Sequence, residues 1–124
     1  LIDNSESNVS KYNCMAILSL CEKLGIQPTK FYWSSELVHA GSSNELLVSL
    51  TKSVGGNAYL TGKGAEVYLD EAVYKAAGVR LIYQNFEHPE YSQHNSVSFI
   101  AGLSVVDVLM NIGYKGATAL LMNS

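Results

Sequence analysis

The chain has 124 residues, of which 48% are hydrophobic and 15% charged, and its net charge is −3. This length suits one domain with a buried core, and the apolar composition favours a folded chain over a disordered one. The eight basic residues are scattered and form no stripe that could neutralise a phosphate backbone. We therefore expect no nucleic-acid partner.

The N-terminal residues have neither the basic start nor the apolar core of a signal peptide. The longest apolar run, residues 105–112, is interrupted by Asp107 and Asn111 and is far shorter than the roughly 20 residues that cross a bilayer. We therefore expect no membrane insertion and a cytoplasmic location.

Helical and extended patterns alternate along the chain. Apolar residues at three- and four-residue steps predict a first helix over residues 8–24, which Gly25 ends in a left-handed conformation. The aromatic segment 30–34 predicts a first strand. A second helix is expected over residues 44–53 and a second strand over residues 58–61.

The second half continues the alternation with a glycine turn, a helix, a strand, a long loop and a helix. We place these at residues 62–64, 71–77, 79–83, 85–98 and, opened by Ser104 and Asp107 as a capping pair, 104–113. Strands separated by helices favour parallel βαβ units. The predicted fold is α/β, with a short, mainly parallel three-stranded sheet flanked by about four helices, Rossmann-like, in a single domain of residues 1–124.

Cys14 and Cys21 lie seven residues apart on the first predicted helix. Seven residues rise about 10.5 Å along a helix axis, whereas a disulfide tolerates a Cα separation of roughly 7 Å. We predict two unpaired thiols that pack as small core residues.

Ligands of open α/β sheets bind beyond the carboxyl ends of the strands. Candidate substrate-binding residues therefore follow the first two predicted strands: Ser34, Ser35, Glu36, Tyr59, Thr61 and Gly62. A serine nucleophile would need a base within hydrogen-bond reach, and a turn-capping role for Ser34 or Ser35 is the alternative. The Gly62-Lys63-Gly64 turn lacks the complete phosphate-binding motifs, so a plain tight turn is its simpler interpretation.

The loop over residues 85–98 is long for a compact domain, and loops of this length are usually functional or disordered. Its aromatic and imidazole side chains favour an ordered binding loop. We take His88 and Tyr91 as candidate catalytic residues and Gln93 as a substrate-binding residue; the alternative is that Phe86 and Tyr91 anchor the loop on the core. We predict that residues 86–93 form one polar cleft with the turn at residues 61–62 and the serines at 34–35.

The histidines are His39, His88 and His94, and their spacing matches no metal motif. We predict no metal site, and the sequence assigns no cofactor.

Several short motifs occur in an order that resembles the WbqC-like family of bacterial proteins. They are Ser34-Ser35-Glu36-Leu37, the leucine-rich helix ending at Gly55-Gly56, Tyr59-Leu60-Thr61-Gly62, Tyr68-Leu69-Asp70, Tyr91-Ser92-Gln93 and Leu103-Ser104-Val105-Val106-Asp107. The resemblance covers nearly the whole chain. Family members carry an additional N-terminal half with a Gln-Pro-x-Tyr-x-Pro-like opening, so we expect this chain to be the C-terminal part of a longer protein.

The resemblance implies a role in O-antigen or other surface-polysaccharide biosynthesis, as a group transferase on an amino-sugar or nucleotide-sugar intermediate. The alternatives are a noncatalytic sugar-binding module and an accessory or scaffold protein of the biosynthetic machinery. We expect a small-molecule sugar partner. Three short strands and a high apolar fraction also predict self-association, or a partner that covers the missing N-terminal half.

Overall fold

The computed structural model describes residues 5–28 and 30–123, with the backbone alone at residue 123. The described residues form four α-helices and two strands, in the order α1 (Val9–Lys23), α2 (Ser43–Ser53), β1 (Ala58–Gly62), α3 (Glu71–Ala76), β2 (Arg80–Gln84) and α4 (Val105–Asn123). The predicted α/β class is confirmed. The chain divides into two compact units: Lys30–Phe86, called here the sheet unit, and the described residues before and after it, called the helical unit.

The expected strand over residues 30–34 is not formed. Ser34–Glu36 is instead a single 3-10 turn, and no third strand or Rossmann-like arrangement occurs among the described residues. Aromatic residues favour strands because they pack well on a pleated surface, and here they pack against each other: the rings of Phe31 and Trp33 meet edge to face at 6.2 Å. The predicted three-stranded sheet is corrected to two strands.

The two strands are parallel, and α3 lies between them in the chain. Their register runs from Ala58 opposite Arg80 to Gly62 opposite Gln84. Asp70 caps α3, because its carboxylate accepts a hydrogen bond from the Ala72 amide at 3.0 Å. Gly78 ends the same helix with φ +69°. The βαβ arrangement predicted for this part of the chain is therefore present.

The core of the sheet unit consists of buried side chains from α2, from α3 and from the residue before β2: Val48, Tyr74 and Val79. Tyr59 and Leu81 of the strands pack against this core. Leu60 and its register partner Ile82 point to the other face, because side chains alternate along a strand, and they are 61% and 40% exposed. One sheet face is thus covered by helices, and the other bears exposed apolar side chains.

In the helical unit, α1 begins and ends as predicted. The Asn8 side chain accepts a hydrogen bond from the Lys11 amide at 3.1 Å, and Gly25 has φ +71°. Cys14 and Cys21 are free, half-buried thiols on this helix.

The predicted end of the last helix at Gly113 needs correction. Gly113 does leave helical geometry, with φ 67° and ψ 179°, but the chain then returns to helix and continues to Asn123. Gly113 therefore interrupts the helix as its sequence position predicts, and the apolar residues after it form a further helical segment. α4 therefore consists of two helical segments, residues 105–112 and 114–123.

By length and composition alone, one helix in the described part of the chain could cross a membrane: Val105–Met122, with a mean hydropathy of 1.2. This window is longer than the run over residues 105–112, because the apolar pattern continues past Gly113. Core helices of soluble proteins pass the same test when they are mostly buried, whereas 6% of this window is buried. One such helix is weak evidence for a membrane span, and its helical geometry is broken at Gly113. The fold therefore carries one apolar C-terminal helix and no clear membrane signal.

Candidate functional site

The carboxyl ends of β1 and β2 lie side by side in the sheet unit. Thr61 is opposite Tyr83 in the register, and Gly62 is opposite Gln84. The Tyr83 hydroxyl donates a hydrogen bond to Oε1 of Glu71 at 3.2 Å. Loss of solvation, followed by this hydrogen bond to Glu71, raises the pKa of Tyr83. The phenol therefore stays protonated at neutral pH, and hydroxyl and carboxylate groups share this edge of the sheet.

The chain leaves β1 through two glycines that the fold does not require. Gly62 has φ −76°, Gly64 has no positive φ, and a Cβ at either position would meet nothing within 4 Å. Neither backbone conformation nor packing explains the absence of side chains here. The open space leaves the backbone of both glycines accessible to another molecule.

Ser34, Ser35 and Glu36 form an exposed 3-10 turn in the same unit. Its backbone is closed by a hydrogen bond from the Leu37 amide to the Ser34 carbonyl at 3.2 Å. Glu36 also lines an open groove of about 540 Å³ together with Ser49 and Lys52 of α2. Because residues 30–34 do not form a strand, this turn does not follow the carboxyl end of one, contrary to the expectation.

Tyr59 lies on the covered face of β1, and its ring packs 5.6 Å from that of Tyr74. This contact belongs to the core of the sheet unit. Of the predicted residues, Tyr59, Thr61 and Gly62 are thus brought together on one strand, with Tyr59 in a packing position.

In the helical unit, Tyr91 connects the long loop to α4. Its hydroxyl donates a hydrogen bond to Oδ2 of Asp107 at 2.7 Å, and its ring meets the edge of Phe99 at 5.3 Å. The hydrogen bond to Asp107, with loss of solvation, raises the pKa of Tyr91. A hydrogen bond with the Gln93 side chain acts in the opposite direction and lowers the pKa. The net shift is upward, so Tyr91 is a protonated phenol at neutral pH.

Asp107 does not act as the acid of a capping box. Ser104 does cap the helix, since its hydroxyl oxygen accepts from the Val106 amide at 3.2 Å. The Asp107 carboxylate instead accepts the phenol of Tyr91. The predicted capping pair is therefore correct for Ser104 and wrong for Asp107.

Two further amide side chains fix the loop. Gln93 pairs with the backbone of Ile100 in both directions: its Nε2 donates to the carbonyl at 2.9 Å, and its Oε1 accepts from the amide at 2.8 Å. Asn111 accepts from the His94 amide at 2.7 Å and donates to the Asp107 carbonyl at 2.8 Å. These contacts and the Tyr91–Asp107 pair form one network, called here the loop clamp.

His88 lies in the same loop and is exposed. The loop clamp fixes the chain three residues after it, through Tyr91. The single cleft that would join this loop to Thr61 and Ser34 stays a prediction. Within the described ranges, no group of three or more His, Cys, Asp or Glu residues is placed to hold a metal ion.

Residue-by-residue sequence reasoning missed the structural role of Asn44. Its Nδ2 donates to the Tyr68 carbonyl at 3.2 Å, and its Oδ1 accepts from the Asp70 amide at 3.2 Å. Asn44 thereby fixes the segment that leads into α3. The partners lie more than twenty residues apart in the chain, so no local spacing marks them; the same holds for Asn111 and His94.

Comparisons with known proteins give two matches. The model of the WbqC-like protein family matches residues 1–119. An uncharacterized protein of Mycobacterium tuberculosis, Rv1507c, is 25% identical over 114 residues, which are 90% of this chain and 48% of that protein. The chain thus spans about half the length of this relative. No solved structure matches the chain.

Proposed function

Because this chain belongs to the WbqC-like protein family, we propose that it takes part in bacterial surface-polysaccharide biosynthesis. Its role in this proposal is that of a cytoplasmic group transferase acting on an amino-sugar or nucleotide-sugar intermediate of O-antigen or a related polymer. The substrate binds at the carboxyl edge of the two-stranded sheet, around Thr61 and Gly62.

The open glycine turn after β1 is the observation that carries this proposal. Gly62 and Gly64 leave room for another molecule at the backbone, at the edge where α/β sheets bind ligands. Thr61 and Tyr83, which each carry a hydroxyl group, are register partners there. Hydroxyl and amide groups of this kind are suited to the hydroxyls of a sugar ring.

Acyl transfer to the amine of an amino sugar forms a C–N bond and breaks the bond between the acyl carbon and the leaving group of the donor, which departs with the bonding electrons. It also requires a proton to leave the attacking nitrogen. An imidazole nitrogen can accept that proton, and we assign this role to His88. Tyr91 and Gln93 then act mainly by holding the loop, since both side chains bond to other parts of the helical unit.

The test is to incubate the protein with a panel of nucleotide sugars and acyl donors and to follow product by mass spectrometry. Gly62→Val should abolish turnover, because the new side chain fills the open turn while its φ of −76° suits valine. Thr61→Val should weaken substrate binding. Thr51→Val is the matched control, since the Thr51 hydroxyl donates to the Leu47 carbonyl of its own helix.

Absence of both binding and turnover with every sugar nucleotide would reject the proposal. Saturable binding without turnover would support the second candidate, a noncatalytic sugar-binding module. This candidate needs no catalytic residue, and of the two candidate catalytic residues Tyr91 has its hydroxyl hydrogen-bonded to Asp107 at 2.7 Å. An accessory protein that binds no sugar would show no sugar binding to lose. Loss of binding in Gly62→Val therefore distinguishes the transferase and the sugar-binding module from such a protein.

A further inference from the structure

A second concave surface of the sheet unit lies apart from the glycine turn. It is an open groove of about 750 Å³, and its lining residues include Glu71, Tyr74, Lys75, Arg80 and Leu81. All of these residues belong to α3, to β2 or to the link between them. The volume lies in the range of small-molecule sites.

The groove follows the outer edge of β2. No residue of β1 lines it, and β2 pairs with β1 alone in the described sheet. The Arg80 amide donates to the Asn57 carbonyl at 2.9 Å and so points toward the β1 side. Because backbone groups alternate in direction along a strand, the Leu81 amide points away from β1. It offers a hydrogen-bond donor along the groove.

Charges are separated along the groove. Lys75 and Arg80 line it, and neither forms an ion pair within residues 5–28 and 30–123. Glu71 lies one helical turn before Lys75, which is about 6 Å along the α3 axis. Since the Glu71 carboxylate contacts Tyr83 near the carboxyl end of β2 and Arg80 begins that strand, the acidic and basic ends of the groove are distinct.

A buried polar group borders the groove. Tyr74 lines the groove and is 1% exposed, and its hydroxyl oxygen is buried with no hydrogen-bond partner among the described residues. Buried polar atoms almost always have a partner in native proteins. A water or a ligand atom that enters from the groove would supply it.

We propose that this groove, called here the α3–β2 groove, binds a phosphate-bearing sugar. The phosphate lies between Lys75 and Arg80, and one of its oxygens accepts a hydrogen bond from the Leu81 amide. The hydroxyls of the sugar ring donate hydrogen bonds to the Glu71 carboxylate. Arg and Lys side chains with a backbone amide are the usual donors to phosphate, and a carboxylate accepts sugar hydroxyls. The assignment of a sugar rests on the proposed function; the assignment of a phosphate rests on the charges of the groove.

Isothermal titration calorimetry with a hexose 1-phosphate, inorganic phosphate and the free hexose tests this site on the whole chain. Arg80→Gln and Lys75→Gln should each weaken hexose 1-phosphate binding about tenfold, which is the loss of one charge-assisted contact, about 1.4 kcal/mol. Lys11→Gln, which removes an exposed lysine from α1, is the matched control and should leave the affinity unchanged. Glu71→Gln should reduce the preference for hexose 1-phosphate over inorganic phosphate.

Unchanged affinity in an Arg80→Gln, Lys75→Gln double variant that keeps its circular dichroism spectrum would overturn the proposal. Equal affinity for inorganic phosphate and hexose 1-phosphate would overturn its sugar part. Failure of this proposal can be distinguished from failure of the proposed function. If Gly62→Val loses turnover and the double variant keeps full activity, the binding site in the groove is rejected and the transferase is not. Groove-dependent binding of hexose 1-phosphate with no turnover on any sugar nucleotide rejects the transferase alone.

Discussion

Tyr91 was a candidate catalytic residue, and its contacts in the structure stabilise the fold. Its phenol donates to Asp107, and its ring contacts Phe99. The raised pKa of Tyr91, caused first by the hydrogen bond to Asp107 and then by loss of solvation, means that the folded state holds the phenolic proton more tightly than the unfolded state. Stability from this contact is therefore fully present below the unfolded tyrosine pKa, about 10, and is lost as the pH rises through the folded value.

Tyr91→Phe should accordingly lower the Tm of the protein at neutral pH, since it removes the hydroxyl and keeps the ring. The difference in Tm between wild type and variant should shrink as the pH rises above about 10. Thermal unfolding followed by circular dichroism across this range measures it. Tyr32→Phe changes an exposed tyrosine and is the control; a Tm difference for Tyr91→Phe that stays constant with pH would contradict the assignment.

For Tyr74 we predict that removing the hydroxyl has the opposite effect on stability from its removal at Tyr91. Its ring is in the core of the sheet unit, but its hydroxyl has no hydrogen-bond partner among the described residues. Tyr74→Phe removes an unpaired buried polar atom, so the free energy of unfolding of the ligand-free protein should stay the same or rise by about 1 kcal/mol. Tyr74→Ala should lose about 3–5 kcal/mol because it leaves a cavity. Urea denaturation measures both; a clear destabilisation in Tyr74→Phe would show that the hydroxyl is paired in solution.

Among the helices, α4 depends on one glycine for its shape. Gly113 has φ 67° and ψ 179°, a combination that is essentially confined to glycine. Gly113→Ala should destabilise the helical unit by about 1–3 kcal/mol. Gly62→Ala is the matched control, because that position has φ −76° and open space around its Cβ, and it should be neutral or slightly stabilising.

Chemical denaturation of the two alanine variants gives the comparison. If Gly113→Ala is as stable as wild type and its helix content rises, α4 can form one straight helix in solution.

The loop clamp should be visible as protection from hydrogen exchange. The Ile100 amide donates to Gln93, and the His94 amide donates to Asn111. Gln93→Ala should speed exchange at Ile100, and Asn111→Ala should speed exchange at His94, because each substitution removes the acceptor. Ser92→Ala alters an exposed neighbour and should change neither rate. Exchange monitored by NMR tests this, and rapid wild-type exchange at both amides would mean that the clamp is open in solution.

At the scale of the whole molecule, the exposed face of the sheet supports the expectation of association. Leu60 and Ile82 are neighbours on that face, and parallel sheets normally have both faces covered. We predict that the chain associates with itself or with another polypeptide through this face. Light scattering of the purified protein across a dilution series should show self-association that Leu60→Lys removes.

Val67→Lys is the control for that experiment, since Val67 is 94% exposed but lies in the loop after β1. It should leave the oligomeric state unchanged. A monomer at all concentrations, with no partner recovered from the native host, would reject this prediction.

The local sequence determined most helix and strand boundaries and their ends. Ser104 caps its helix as predicted, Asn8 and Asp70 cap theirs, and Gly25 and Gly78 end helices. These outcomes depend on contacts between residues a few positions apart, which a sequence pattern contains. The family resemblance likewise followed from short motifs in order, and the family match confirms it.

Tertiary structure alone decided how the strands and loops are used. The aromatic segment 30–34 has the composition of a strand, but a strand needs a neighbour for its backbone groups, and no local pattern shows whether one exists. The pairs Tyr91–Asp107, His94–Asn111 and Tyr68–Asn44 join residues 16 to 24 positions apart, and the α3–β2 groove depends on which edge of β2 stays unpaired. Such contacts form only when the chain folds. The sequence therefore allowed candidate residues to be predicted, and the tertiary structure determined which of them are in contact.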